Sequence, residues 1–179
     1  MRSTLTAILV LLLFSASYGQ AEDVISQIRN RYKVITENAS AFEMREAEDG
    51  GQSEEGGVVK AYYEGRKLQF ITSEYFSETG KQRTEYYFDS GKLVFLLDVS
   101  LTYNRPIGYD EKKAKENGDT EWYDDKKTKK VIDRYYFHND KLIQWINGGK
   151  TEQHFDVSWQ ESKGKALLKE AARLKKMFK

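Results

Sequence analysis

The chain has 179 residues, with 29 lysines and arginines against 28 aspartates and glutamates, no cysteine and one proline. This length suits one domain of ordinary size. A hydrophobic content of 39% with 13% aromatic residues can build a core, which excludes a wholly disordered chain. The near-zero net charge argues against a general nucleic-acid-binding protein, and the absence of cysteine excludes disulfides, zinc–thiolate sites and thiol catalysis.

Residues 1–19 have the parts of a secretory signal. Arg2 is followed by an apolar stretch over residues 5–14, and small residues precede the predicted cleavage point. This apolar stretch is too short to span a bilayer core, which needs roughly 20 residues. We therefore predict a cleaved signal and a mature chain of residues 20–179, exported to the periplasm or out of the cell. Export without disulfides fits a bacterial envelope.

An amphipathic helix is predicted at each end of the mature chain. The first covers residues 22–47, where apolar residues recur at spacings of three and four, as in a helix docked on a sheet. The second covers residues 159–178 and is rich in lysine. A basic helix of this kind can lie on anionic lipid, so membrane contact is expected only here, although a sheet-covering helix with solvated lysines explains the same pattern.

Between the helices, residues 57–148 alternate apolar and polar side chains with a period of two, which predicts β-strands. A charged insertion over residues 104–128, which begins with Asn104-Arg105-Pro106, interrupts them. The predicted fold class is α+β: a single domain in which an antiparallel β-meander of about six strands packs with the N-terminal and C-terminal amphipathic helices.

Three segments repeat the pattern Tyr, aromatic, three turn-like residues, Lys, Leu: residues 62–68, 87–93 and 136–142. Each predicts a hairpin with a two-residue turn, in which the second aromatic residue faces the leucine across the strands. The first tyrosines then share the opposite face of the sheet. They are Tyr62, Tyr87 and Tyr136, predicted to lie beside Gln69, Val94 and Ile143. This row is the predicted binding site if it is open, or part of the core if a helix covers it.

These hairpins resemble the MORN-like hairpin repeats of bacterial antitoxin-type repeat proteins. With Tyr-Asn-Arg-Pro at 103–106 and Asp-Arg-Tyr-Tyr-Phe at 133–137, the mature chain is similar to small exported proteins of unknown function from Bacteroidetes-type bacteria. The resemblance implies tandem hairpins and export. It implies no catalytic residue.

The sequence contains no recognisable catalytic motif. His138 and His154 are the only histidines, and neither lies in a metal-ligand spacing, so no catalytic residue, metal or cofactor is predicted. Paired carboxylates that could hydrolyse glycosides would be close in space rather than in sequence. The first hypothesis is therefore a non-enzymatic envelope protein that binds a protein, glycan or peptide through an aromatic-rich sheet. The alternatives are a periplasmic carrier of a small apolar ligand and a small hydrolase.

Overall fold

The computed structural model describes residues 22–51, 53, 55–148, 150–152 and 156–179. The predicted signal segment and His154 lie outside these residues. The helices are α1 (22–38), α2 (Glu111–Glu116) and α3 (Val157–Lys176). The strands, in chain order, are β1 (Glu43–Glu48), β2 (Gly57–Glu64), β3 (Lys67–Ser77), β4 (Gly80–Asp89), β5 (Lys92–Thr102), β6 (Lys129–His138), β7 (Lys141–Asn147) and β8 (Lys150–Glu152).

All of these strands form one antiparallel sheet in which each pairs with its neighbours in the sequence. The α+β meander with a helix at each end is therefore confirmed. Within the described residues the sheet has eight strands rather than about six, the last of only three residues. The additional strands, β1 and β8, lie at the two edges, outside the predicted range of 57–148.

The first helix is shorter than predicted. It ends at residue 38, a 3₁₀ turn follows at Ala39–Ala41, and β1 occupies Glu43–Glu48, so the prediction of a helix to residue 47 is wrong. The sequence of β1 has good helix formers, but its backbone pairs with β2 along the whole strand, and this tertiary pairing outweighs intrinsic propensity. The charged side chains of β1 suit an exposed sheet edge.

The second predicted helix, 159–178, is displaced by two residues, because α3 begins at Val157. Asp156 caps it, and its carboxylate accepts a hydrogen bond from the Ser158 N–H at 3.0 Å. This satisfies one of the free N–H groups of the first turn.

The three hairpins form as predicted. Tyr63 pairs with Leu68, Phe88 with Leu93, and Phe137 with Leu142. The β4–β5 turn has positive φ at Ser90 and Gly91, and the β6–β7 turn has it at Asn139 and Asp140, as two-residue hairpin turns require. Each hairpin also has a β-bulge between the first tyrosine and the aromatic residue that follows it.

These bulges change the neighbours of the tyrosine row. Gln69, Val94 and Ile143 are the extra residues of the bulges, so the residues that pair with the tyrosines are one position further on. Phe70 pairs with both Tyr62 and Tyr87, and Phe95 with both Tyr87 and Tyr136. The row on this face therefore has five rings across five strands.

The core has two layers, one on each face of the sheet. On one face, α1 covers the aromatic row with Ile28 and Ile35. On the other, Ala171 and Leu174 of α3 pack on Tyr86, Phe88 and their neighbours. Near the hairpin turns, the sheet lies between α1 and α3. The flanks of both helices are therefore next to these turns.

Candidate functional site

The predicted tyrosine row is not an open surface. Tyr87 is 1% exposed and Tyr136 is 3% exposed, and both belong to the core beneath α1. Tyr62 is partly buried and stacks on Phe70 with 4.1 Å between ring centroids. The alternative stated above, that a helix covers the row, is therefore the observed arrangement. The prediction that Tyr62, Tyr87 and Tyr136 present an open binding platform is corrected.

Tyr32 of α1 fixes the helix on the row. Its ring meets Tyr87 edge-on at 5.0 Å and Phe95 edge-on at 5.2 Å, a favourable geometry for aromatic pairs. Burial, followed by the nearby carboxylate of Glu85, raises the pKa of Tyr87, whose hydroxyl donates to Glu85 at 2.5 Å. The same two causes raise the pKa of Tyr32. Both phenols stay protonated at neutral pH, so neither is a candidate base.

A cavity that is open to solvent lies beside α1 and has a volume of about 240 Å³. We call it the arginine pocket. It is lined by Arg29, Tyr32, Phe95, Leu97, Arg134 and Tyr136. The Arg29 guanidinium lies 5.7 Å from the centre of the Tyr136 ring, and its Nε is 3.5 Å from the Tyr136 hydroxyl. Two cationic groups thus stand beside an aromatic wall.

Neither of these arginines has an ion-pair partner among the residues that the structure describes. No described carboxylate lies within ion-pair distance of either guanidinium, and the Arg134 guanidinium donates no hydrogen bond to a described residue. Glu85 lies near Tyr32, but its oxygens accept from the Tyr87 hydroxyl and from Arg83. The arginine pocket is therefore a positive site in a chain whose net charge is +1.

The second cavity follows the opposite flank of α1, between this helix and the β4–β5 and β6–β7 turns. We call it the tip groove, and its volume is about 570 Å³. From α1 it is lined by Val24, Gln27, Ile28, Asn30, Arg31 and Val34. From the hairpins it is lined by Asp89, Ser90, Lys92, Leu93, Val94, Phe137, His138 and Asn139.

The charges of the tip groove are balanced, unlike those of the arginine pocket. Arg31 Nε lies 3.7 Å from the Asp89 carboxylate, and Lys92 Nζ lies 3.0 Å from the Asp140 carboxylate. The groove continues into a cavity of about 480 Å³ between the β2–β3 and β4–β5 turns, which shares Arg31, Asp89 and Ser90 with it. The result is a neutral, partly apolar depression along the tips of the hairpins.

The described residues offer little for catalysis. They contain no group of three or more His, Asp or Glu side chains placed to hold a metal ion. His138 lies in the tip groove, where its Nε2 is 3.0 Å from Asn139 Nδ2. Asp98 and Asp133 are directly opposed on β5 and β6. Protein donors occupy both carboxylates, since Asp98 accepts from Gln82 and Thr84, and Asp133 from the Gly148 N–H.

The basic residues of α3 are partly used within the fold. Arg173 contacts Asp49 at 2.6 Å, and Lys175 donates to the Gly91 carbonyl at 2.7 Å. Lys163 lies 5.3 Å from the centre of the Tyr135 ring. These contacts show that part of the positive charge of α3 has a structural role. Membrane contact through this helix stays a prediction.

No protein-family model, curated protein or solved structure matches the chain. The resemblance to MORN-like repeats thus rests on the hairpin motif and stays a prediction. Among the helices that the structure describes, none combines the length and apolar character needed to cross a membrane.

The sequence prediction missed both cavities. Two weak signals were available for the arginine pocket: Arg134 shares a strand face with Tyr136, and Arg29 precedes Tyr32 by about one helical turn. What brings the two arginines together is the position of α1 on the sheet, which no local pattern specifies.

Proposed function

We propose that the chain is an exported, non-enzymatic binding protein of the bacterial envelope, and that it holds an extended peptide segment of a partner protein in the tip groove. The observation that supports this proposal is the groove itself, a neutral cavity of about 570 Å³ with an apolar floor and amide side chains. A volume of this size is typical of a specific binding site.

The chemistry of the groove favours a peptide. Gln27, Asn30 and Asn139 line it, and each primary amide offers both donors and an acceptor, as a peptide bond does. Val34, which is 46% exposed, and Val94 supply an apolar surface against which a side chain of the peptide can pack. Hydrogen bonds to the main chain with pockets for side chains are the usual way to bind an extended segment.

The other hypotheses receive less support from the described residues. A glycan site is usually built on exposed aromatic rings, whereas the aromatic row lies beneath α1. A carrier that encloses an uncharged apolar ligand needs a closed space beneath a helix, but core side chains pack beneath both α1 and α3, and the arginine pocket beside α1 is open and positive. A hydrolase needs free carboxylates, and the opposed pair Asp98 and Asp133 is hydrogen-bonded by the protein.

The test is site-specific photocrosslinking in the native envelope, with the photoreactive residue at position 30 in the tip groove. A control probe replaces Lys126, an exposed residue of the charged insertion. We expect the probe at position 30 to crosslink reproducibly to one segment of one partner protein. A peptide synthesised from that segment should then bind the purified protein in a calorimetric titration.

Substitutions on α1 show whether binding uses the groove. Gln27→Ala and Asn30→Ala each remove an amide from the groove, and we expect each to weaken peptide binding about tenfold, the equivalent of a lost hydrogen bond. Ser26→Ala, a smaller truncation at an exposed α1 position outside the groove, is the control and should leave affinity unchanged. The proposal fails if the probes at positions 30 and 126 give the same adducts, or if the adduct is a glycan.

A further inference from the structure

We propose that the arginine pocket is a second, independent binding site, and that its ligand is a small carboxylate with an apolar body, such as a single ring. This site is independent of the tip groove, because the two cavities lie on opposite flanks of α1 and share no lining residue.

The charge of the pocket calls for an anion. Most of the other arginines that the structure describes are paired with carboxylates. Arg31, Arg45, Arg83, Arg105 and Arg173 each form an ion pair. Arg29 and Arg134 form none with any described residue, although Arg134 is only partly exposed. An incoming anion would neutralise two guanidinium groups that have no ion pair with the described residues.

The donors of the pocket suit a carboxylate. A guanidinium presents parallel N–H groups that match the two oxygens of a carboxylate, and two arginines beside one cavity can share them. Tyr136 also lines the pocket, and its hydroxyl is 3.5 Å from Arg29 Nε. The polar end of the ligand is therefore placed between α1 and β6.

The wall of the pocket favours a ligand that has an apolar part as well as a charge. Tyr32, Phe95 and Leu97 line it, so an inorganic anion would leave apolar surface in contact with water. A volume of about 240 Å³ is below the usual range for drug-sized ligands, roughly 300–1,000 Å³. A single aromatic or aliphatic ring fills such a space and leaves its carboxylate at the arginines.

Three probes distinguish the parts of this inference in calorimetric or NMR titrations of the full mature protein. We expect benzoate to bind with a dissociation constant of about 1 mM or tighter. Benzamide has the same ring without the charge, and inorganic phosphate has the charge without the ring, and each should bind at least tenfold more weakly than benzoate. Equal binding of benzamide would refute the role of charge. Equal binding of phosphate would refute the role of the apolar wall.

Variants locate the site. Arg29→Gln and Arg134→Gln should each weaken benzoate binding about tenfold or more, since each removes a charge-assisted contact. Arg66→Gln makes the same change at an exposed position outside the pocket and should have no effect. Circular dichroism and urea unfolding of every variant show whether the fold is kept, and the Arg29 variant lies on an exposed helix position. Unchanged affinity in both pocket variants, or no benzoate binding by the wild type at 10 mM or below, would overturn the proposal.

Discussion

At the scale of single residues, Asp49 connects the end of β1 with β3 and α3. It follows β1 and is 8% exposed. Its Oδ2 accepts from Arg173 of α3 at 2.6 Å and from the Tyr75 hydroxyl of β3 at 2.7 Å. Burial acts to raise the pKa of the Asp49 carboxyl, but the hydrogen bonds from Arg173 and Tyr75 outweigh it, so this pKa lies below its ordinary value. Burial and the bond to Asp49 also raise the pKa of Tyr75 to about 12.

This network predicts a pH-dependent loss of stability. Because the pKa of Asp49 is lower in the folded state, its ionised form stabilises the fold above the unfolded-state pKa of about 3.9, and this contribution is lost as the pH falls through the folded-state value. We expect Asp49→Asn to lower the free energy of unfolding by about 1–3 kcal/mol at pH 7. In urea titrations from pH 7 to pH 2.5, a range around these pKa values, the difference from the wild type should shrink below pH 4.

The control is Asp89→Asn. Asp89 lies at 3.7 Å from Arg31, and its side chain is 56% exposed, so its ion pair is screened by water. This variant should unfold with nearly the wild-type free energy. An Asp49→Asn variant that behaves like Asp89→Asn, or a difference that persists unchanged at low pH, would contradict a stabilising role for the ionised Asp49.

At the scale of secondary-structure elements, the sequence predicted hairpins better than boundaries. Turn residues and strand periodicity are local, so the pairs Phe88–Leu93 and Phe137–Leu142 could be read directly. The bulges could not, because an extra residue in one strand is detected only against its partner. The end of α1 was missed for a related reason, since residues 43–48 become a strand by pairing with β2. The arginine pocket depends on the same kind of long-range placement.

The docking of α1 on the aromatic row can be tested at two adjacent positions. Ile35 is 2% exposed within the core layer under α1, whereas Val34 is 46% exposed at the tip groove. We expect Ile35→Ala to lower the free energy of unfolding by about 2–5 kcal/mol, because it leaves a cavity between the helix and the rings. Val34→Ala should change it by about 0.5 kcal/mol or less. Urea unfolding measures both, and equal effects would mean that α1 is not packed on the sheet as described.

At the scale of the whole molecule, both helices are attached to the same hairpin from opposite faces of the sheet. Arg31 of α1 donates to the Phe88 carbonyl at 3.4 Å, and Lys175 of α3 donates to the Gly91 carbonyl at 2.7 Å. The β4–β5 hairpin is therefore the point where the two core layers meet. Its strands also have a paired strand on each side. The tip groove and the arginine pocket, the two proposed binding sites, lie around this hairpin on the two flanks of α1.

This arrangement predicts a gradient of stability across the sheet, which hydrogen exchange can measure. The amides of Tyr86, Tyr87 and Leu96 are hydrogen-bonded between two helical layers, so they should exchange only through global unfolding and be the slowest. Arg45, in the exposed edge strand β1, should open locally and exchange much faster. Adding low urea concentrations should accelerate the first group strongly and Arg45 only slightly, because global unfolding exposes more surface. Exchange of Arg45 as slow as that of Leu96 would show that the edge strand belongs to the same cooperative unit as the central hairpin, contrary to this expectation.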